Sequence, residues 1–332
     1  MRPFAYAVAD SPAHAVQMIR DSGPAARFLA GGTTLYDLMK LGVELPEAIV
    51  DVSRIEELTT IDTGGDRELV IGAGARMADV AEDPVLRTRY PALAESLSKA
   101  ASEQLRVMAT VGGNLLQRTR CPYFRGGPAF PCNKRDPGSG CAAIGGADRT
   151  LALLGTSPSC IANYPGDWAV ALLAFDAALD ILGPDGERSM NLAELYREPG
   201  DRPDLEHNLA ADEMITRIRI PVTGAGPTST YHKIRDRESY AFALASAAVA
   251  LDVADGVIRD ARIALGGVAS RPWRVPSAEQ ALTGTAATAQ DARRAGELAL
   301  QGARPGEQNE FRVELAIRTV ADAVAIAWGR GR

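Results

Sequence analysis

Residues 28–40, FLAGGTTLYDLMK, contain the strongest local signal for the fold. The apolar residues ARFLA that end at Ala30 predict a strand, the glycine pair predicts a turn, and Leu35, Leu38 and Met39 follow at helical spacing. Consecutive glycines let the backbone approach an anion closely, and the free N–H groups at the start of a helix favour negative charge. The stretch therefore predicts a strand, turn and helix that can hold a phosphate.

A second glycine turn, TVGGNL, occupies Thr110–Leu115. Either turn alone is more often structural than ligand-binding, but two in one domain would suit a pyrophosphate. The stretch VIGAGARMADV (70–80) imitates a dinucleotide fingerprint, but Met77 occupies the position of its third glycine. Gly72 and Gly74 are therefore interpreted as structural, and a Rossmann fold is not expected.

All four cysteines fall within forty positions: Cys121, Cys132, Cys141 and Cys160. Their spacing lacks the C-x2-C pairs of structural zinc sites and the compact pattern of bacterial ferredoxins. Residues 118–135 contain five basic side chains and no acidic one, which predicts a local field that favours thiolates and a net-negative cluster. Prolines and glycines predict an irregular loop. Metal or cluster binding, a disulfide and plain burial stay open at this point, and four thiols match either zinc or a [4Fe–4S] cluster.

The composition is that of a globular protein: 332 residues, 46% hydrophobic and 23% charged, with a net charge of −6. The negative balance argues against nucleic-acid binding. The longest apolar run, 241–251, is too short to span a bilayer, so no membrane insertion is expected. The N-terminus shows no apolar segment typical of a secretion signal.

Local patterns predict mixed helices and strands. They indicate a helix capped by Asp10 or Ser11, one long helix over 90–108, a helix followed by a strand in 167–182, and a hairpin around Asp255 and Gly256. Glycine and proline concentrate at 221–229, which predicts a domain boundary there. The chain after it reads as a separate α+β domain that ends in a helix.

Four stretches, in order, resemble the FAD-binding medium subunit of the xanthine dehydrogenase and molybdenum hydroxylase family: FLAGGTTLYDLMK, ATVGGNL, GDWAVALLAFDA and YHKIRDRESYAFALASAAVAL. About forty residues separate the second and third stretches here, whereas most members of the family have almost none. This cysteine-bearing insertion resembles the flavoprotein subunit of bacterial periplasmic aldehyde oxidoreductases, which carries an additional [4Fe–4S] cluster.

The resemblance implies an α+β fold. A two-part FAD-binding domain of the vanillyl-alcohol-oxidase (PCMH) type would cover 1–222, with subdomains at about 1–55 and 56–222 and a cluster-binding insertion at 116–164. A C-terminal α+β domain of the CO dehydrogenase flavoprotein type would cover 228–332.

The resemblance also assigns sites, residue by residue. The expected FAD-binding residues are Phe28, Leu29, Ala30, Gly31, Gly32, Thr33, Thr34, Leu35, Thr110, Gly112, Gly113, Asn114, Asp167, Ile215, Lys233 and Tyr240. The expected ligands of a [4Fe–4S] cluster are Cys121, Cys132, Cys141 and Cys160. No residue of this chain is expected to be catalytic, because substrate oxidation in such enzymes occurs on a partner subunit.

The implied function is electron transfer within a molybdenum-dependent aldehyde oxidoreductase. The expected partners are a large subunit with the molybdenum cofactor, a small subunit with [2Fe–2S] clusters, and an external electron acceptor. The alternative is an FAD subunit of a xanthine- or CO-dehydrogenase-type enzyme whose cysteines bind zinc or no metal. The resemblance implies export to the periplasm with a signal-bearing partner, with the cytoplasm as the alternative.

Overall fold

A computed structural model describes residues 1–331. The chain begins with a three-stranded parallel sheet of β1 (Ala5–Val8), β2 (Ala26–Leu29) and β3 (Ala48–Asp51), in the order β1-β3-β2. Helix α1 (Pro12–Asp21) connects β1 to β2, and its cap, Ser11, accepts a hydrogen bond from the N–H of His14. Helix α2 (Leu35–Lys40) follows the first glycine turn. The predicted strand, turn and helix are thus confirmed.

A five-stranded antiparallel sheet forms the centre of the molecule, in the order β4-β5-β8-β6-β7. Its strands are β4 (Ile61–Asp62), β5 (Glu68–Gly72), β6 (Ala178–Gly183), β7 (Gly186–Asn191) and β8 (Met214–Pro221). The helices of this part are α3 (Met77–Glu82), α4 (Pro84–Arg89), α5 (Pro91–Ser98), α6 (Glu103–Arg106), α7 (Val111–Leu115), α8 (Pro122–Arg125), α9 (Trp168–Ala174) and α10 (Leu192–Leu195). Two 3₁₀ turns, Glu56–Thr59 and Gly127–Ala129, complete it.

The C-terminal part has a four-stranded antiparallel sheet, in the order β12-β11-β10-β9, covered by helices. Its elements are β9 (Ser229–Ile234), β10 (Ala245–Ala254), β11 (Val257–Gly266), β12 (Trp273–Arg274), α11 (Pro276–Gln280), α12 (Ala289–Ala299) and α13 (Phe311–Arg330). Asp255 and Gly256 join β10 to β11 with φ of 55° and 72°, the pair of positive values that a tight hairpin turn requires. The predicted hairpin and terminal helix are confirmed.

The predicted long helix over 90–108 is wrong. Two helices, α5 and α6, occupy this stretch, and Ala101 between them has a φ of 48°, which no helical residue adopts. Ser102 starts the second helix by accepting a hydrogen bond from the N–H of Leu105 at 3.3 Å. A helix-capping serine inside an apolar pattern was the signal for this break.

The hydrophobic core joins the two sheets. Trp168 on α9 is fully buried, and its cluster reaches from Leu69 and Ile71 on β5 to Ala248 on β10. A second cluster packs α12 and α13 against the other face of the C-terminal sheet. Within residues 1–331, none of the helices combines the length and the apolar character that spanning a bilayer requires.

A buried arginine fixes the cysteine segment against the C-terminal part. Arg312 on α13 is 0% exposed, and its guanidinium donates hydrogen bonds to the carbonyl oxygens of Leu151 and Leu244. It donates to the carbonyl of Arg149 as well. The guanidinium of Arg312 is therefore paired with main-chain acceptors of the insertion and of the C-terminal part.

Candidate functional site

A cleft with a volume of about 1940 Å³ lies where the parallel sheet, the two glycine turns, β8 and the loop after β9 meet. Every residue predicted to bind FAD lines it except Lys233. The tertiary structure thus brings together segments that are far apart in the sequence.

The first glycine turn passes against the residues that precede the second turn with no room for a side chain. A Cβ atom built on Gly31 would lie 2.0 Å from the carbonyl oxygen of Met108, far inside contact distance. Gly32 has a φ of 71°, in the left-handed region that favours glycine. Within residues 1–331, the N–H groups of positions 31–34 have no hydrogen-bond acceptor. These four donors are therefore available to an anion in the cleft.

The second turn is held by hydrogen bonds on one side and open on the other. The Thr110 hydroxyl accepts a hydrogen bond from the N–H of Gly113 at 3.2 Å, and Gly112 donates to the carbonyl of Ala73 at 2.9 Å. A Cβ atom on Gly112 would lie 2.6 Å from that of Ala73. The side-chain oxygen of Asn114 is buried with no partner in the described chain. A ligand with a hydrogen-bond donor would satisfy it, which fits a bound cofactor.

Asp167 presents a buried carboxylate to the cleft at the start of α9. Its two oxygens accept hydrogen bonds from the Tyr231 hydroxyl at 2.5 Å and the Lys233 ammonium at 2.9 Å. Lys233 lies behind Asp167 and also donates to the carbonyl of Lys99 at 3.0 Å. Burial and the neighbouring Asp167 raise the pKa of Tyr231, so its hydroxyl stays protonated and donates. Lys233 therefore orients the carboxylate and does not itself line the cleft.

The loop after β9 contributes Tyr240 to the mouth of the cleft. Its side chain is 55% exposed and its φ is 52°, unusual for a residue other than glycine. Arg237 lies 5.4 Å from the Tyr240 ring centroid and donates to its carbonyl oxygen. Ile215 on β8 lines the opposite part of the cleft.

Several cleft residues were missed at the sequence level. Tyr6 and Asp51, which are hydrogen-bonded to each other, line the cleft beside the parallel sheet. The ends of adjacent parallel strands are common ligand sites, and this was the available signal for Asp51. Gly74, interpreted as structural, also lines the cleft, and a Cβ atom there would lie 2.9 Å from that of Leu58.

The insertion forms one wall of the cleft. Arg118, Arg120 and Arg125 all line it. Arg120 and Arg125 form ion pairs with Asp37 on α2 at 3.2 and 2.8 Å. The guanidinium of Arg120 also lies 5.0 Å from the ring centroid of Phe242, on the loop after β9. Nothing in the local sequence indicated these contacts.

The four cysteines line one small cavity between α8 and the loops that follow it. Three of them, Cys121, Cys132 and Cys160, are buried, and residues 132 and 141 face each other in an antiparallel bridge. All four carry free thiols. Among residues 1–331, no group of three or more His, Cys, Asp or Glu side chains is placed to hold a metal ion.

The predicted local field that favours thiolates is wrong for Cys121 and Cys160. Burial raises the pKa of Cys121, and it raises the pKa of Cys160 to about 11 even though Lys134 and an N–H of Ala162 oppose it. Of the five basic residues in 118–135, four pair with carboxylates from other segments, and Arg135 donates to main-chain carbonyls. Only Lys134 of the five lines the cysteine cavity.

These features describe a cleft that can hold a cofactor with a pyrophosphate, and comparison with known proteins identifies the family. The model of the FAD-binding domain in molybdopterin dehydrogenase matches residues 2–223, and that of the CO dehydrogenase flavoprotein C-terminal domain matches residues 229–327. The chain belongs to the FAD-binding medium subunits of the molybdenum hydroxylase family. The predicted family, fold class, FAD binding and oxidoreductase class are thereby confirmed.

Individual relatives are similar over nearly their whole length. The aldehyde oxidoreductase FAD-binding subunit PaoB of Escherichia coli K12 is 42% identical over 330 residues, which cover 98% of this chain and 99% of that one. The carbon monoxide dehydrogenase medium chain of Hydrogenophaga pseudoflava is 26% identical over 98% of both chains. A solved structure of carbon monoxide dehydrogenase from the same organism has a TM-score of 0.77 at 27% identity, covering 99% of each chain.

Proposed function

We propose that this chain is the FAD- and [4Fe–4S]-containing electron-transfer subunit of a molybdenum-dependent aldehyde oxidoreductase. The observation that carries the proposal is the convergence of four free cysteine thiols on one cavity whose protein wall also borders the FAD cleft. The 42% identity to an aldehyde oxidoreductase subunit over the full chain supports the aldehyde class of substrate.

Different residues of the cleft would contact different parts of the cofactor. FAD, when bound, supplies the redox chemistry that links one-electron clusters of a partner subunit to an external acceptor. The unpaired N–H groups of positions 31–34 and the hydroxyl of Thr110 would hold its pyrophosphate. The side-chain oxygen of Asn114 would accept a hydrogen bond from a donor group of the cofactor. Asp167, fixed by Tyr231 and Lys233, would accept a hydrogen bond from it.

The cysteine cavity fits a [4Fe–4S] cluster by the chemistry of its donors. Such a cluster takes one thiolate on each iron, so its four ligands lie around it and do not meet at one ion. Cys121 and Cys160 already receive hydrogen bonds from main-chain N–H groups, including that of Ala162 at 3.4 Å. Hydrogen bonds to sulfur stabilise the negative charge of a cluster. Bound iron would also compensate the negative charge of the buried thiolates.

No histidine of this chain is placed for acid–base catalysis on an organic substrate. His14 is half-exposed and paired with Asp10 at 2.8 Å, and His232 lies 3.9 Å from Asp322 on the C-terminal helix. His207 lines the cleft, but burial lowers its pKa to about 4. The proposal assigns substrate oxidation to a partner with the molybdenum cofactor, and electron supply to a small subunit with [2Fe–2S] clusters.

The decisive experiment is anaerobic purification of the complex followed by analysis of iron, acid-labile sulfide, zinc and flavin in this subunit. The expected result is about one FAD and four irons per chain, with an electron paramagnetic resonance (EPR) signal of a reduced [4Fe–4S] cluster besides those of the partner. An active complex whose medium subunit holds zinc or no metal would contradict the cluster and favour the xanthine- or CO-dehydrogenase-type alternative. Purification of the complex without flavin in this subunit would contradict the assignment of the cleft as the FAD site.

Periplasmic location is part of the same proposal. It follows from the resemblance of the cysteine-bearing insertion to the periplasmic subgroup, and export would depend on a partner that carries the signal. Cell fractionation with an antibody to this chain tests it. Recovery in the cytoplasm while the partner is exported would contradict it.

A further inference from the structure

Lys134 is the cation that the fold places against the cysteines. It follows Cys132 by two positions and lines the cysteine cavity. Its side chain is only 9% exposed. The ammonium donates to the carbonyl of Pro203 at 2.8 Å and pairs with Glu206 Oε1 at 3.0 Å. Its charge is therefore held in place and little screened by water.

The loop around Lys134 is rigidly built. Asn133 accepts hydrogen bonds through its side chain from the N–H groups of Gly138 and Gly140, at 3.2 and 2.8 Å. Its amide donates to the carbonyl of Ser159, next to Cys160, at 3.0 Å. These contacts fix the position of Lys134 between two of the cysteines.

Glu206 connects this charge to the FAD cleft. One carboxylate oxygen binds Lys134 and the other accepts a hydrogen bond from Arg118, which in turn pairs with Glu44. Glu206, Arg118 and Glu44 all line the cleft. Burial opposes ionisation of Glu206, but Lys134 and Arg118 hold its pKa below the ordinary value. The carboxylate between the two sites is therefore charged.

Fixed charges in a weakly screened site change redox equilibria. A reduced cluster carries one more negative charge than the oxidised form, so a nearby cation stabilises reduction and a nearby anion opposes it. We propose that Lys134 and Glu206 form a charge pair that sets the reduction potential of the cysteine centre, and that Glu206 acts on the bound flavin from the same position. The inference rests on the proposed [4Fe–4S] cluster.

The test compares Lys134→Met and Glu206→Gln in the intact complex, each titrated potentiometrically under anaerobic conditions with EPR detection. Lys134→Met should lower the potential of the cysteine centre. Glu206→Gln should raise it, and should also raise the flavin potential followed by visible absorption. Arg219→Met is the matched control, because Arg219 forms a partly buried pair with Asp180 at 2.9 Å and neither residue lines the cysteine cavity or the cleft. It should leave the cluster potential unchanged.

Opposite signs distinguish charge from packing, because a merely structural disturbance would not move the potential up in one variant and down in the other. Unchanged potentials, or shifts in the same direction, would overturn the inference. If Lys134→Met does not retain iron, Lys134→Arg and Glu206→Gln test the inference instead. Lys134→Arg should leave the potential of the cysteine centre unchanged within experimental error, and Glu206→Gln should raise it. Absence of iron from the unmodified subunit would instead contradict the proposed cluster itself.

Discussion

The FAD cleft and the cysteine cavity are neighbours, but they are built in different ways. The cleft depends on main-chain geometry, since Gly31 of the first glycine turn lies against the carbonyl of Met108, just before the second turn, and the first turn leaves N–H groups free. The cavity depends on side chains that an irregular loop carries from four positions in sequence. The two sites share the segment that starts at Arg118.

This difference implies different sensitivities. A site made of main chain should fail when a single Cβ atom is added, whereas a site made of thiols should fail when a single sulfur is removed. The segment that the two sites share determines whether damage to one site also affects the other. It is fixed by ion pairs to Asp37, Glu44 and Glu206 and not by the thiols.

Gly31→Ala should have the largest effect on flavin. The new Cβ atom would meet the carbonyl of Met108 at 2.0 Å, so one of the two turns must move. A displacement that costs more than about 1.4 kcal/mol of binding lowers FAD affinity at least about tenfold. Flavin-to-protein absorbance ratios and fluorescence titration of the apoprotein measure it. Gly64→Ala is the control, because its Cβ would only approach Asp62 at 3.8 Å and flavin binding should stay unchanged.

Cys132→Ser should remove the iron from the cysteine centre and leave FAD bound. The glycine turns lie outside the loop, and the arginines that line the cleft do not depend on the thiol. Iron and flavin are measured on the same preparation. Ser159→Ala, which changes a cavity-lining residue but keeps all four thiols, should retain both. Loss of flavin and iron in equal measure would show that the two sites are one structural unit.

Arg118→Gln should lower the free energy of unfolding by about 2 kcal/mol, because Glu44 and Glu206 would lose a charged partner in a largely buried place. Urea unfolding of the purified subunit measures the change. Arg259→Gln breaks an exposed pair with Asp255 and should change the same quantity by no more than about 0.5 kcal/mol. Equal effects of the two substitutions would show that the shared wall is not held by its ion pairs.

A pH dependence of stability is expected at the border of the two sites. Burial lowers the pKa of His207 from 6.5 to about 4, so the folded state binds fewer protons than the unfolded chain between these values. The contribution of His207 to stability is therefore present above about pH 6.5 and is lost as the pH falls towards 4. Urea midpoints over this range should fall less steeply for His207→Gln than for the unmodified chain. The same pH dependence of the urea midpoint in both proteins would contradict this role of His207.

Much of the cleft was predictable because its information is local. A glycine pair between a strand and a helix restricts the backbone within a few residues, and the same holds for Ser11 at the start of α1 and for Asp255 and Gly256 in the hairpin. The resemblance to a family added the residues that are distant in sequence, such as Asp167 and Ile215. Both line the cleft.

The electrostatics of the insertion were not predictable in this way. The sequence around Arg118 contains no acid, yet its guanidinium meets Glu44 and Glu206, 74 and 88 positions away. Local charge counts cannot include partners that only folding brings near. For the same reason Lys233, expected at the flavin, lies behind Asp167.

The sequence by itself therefore determined the turns, the caps and the kinds of donor available to each cofactor, because these follow from backbone stereochemistry and side-chain chemistry over short distances. The tertiary structure decided which of five basic residues faces the cysteines, where the buried carboxylates lie, and that one wall serves both sites. Those outcomes depend on burial and on contacts between distant segments, which no short stretch of sequence contains.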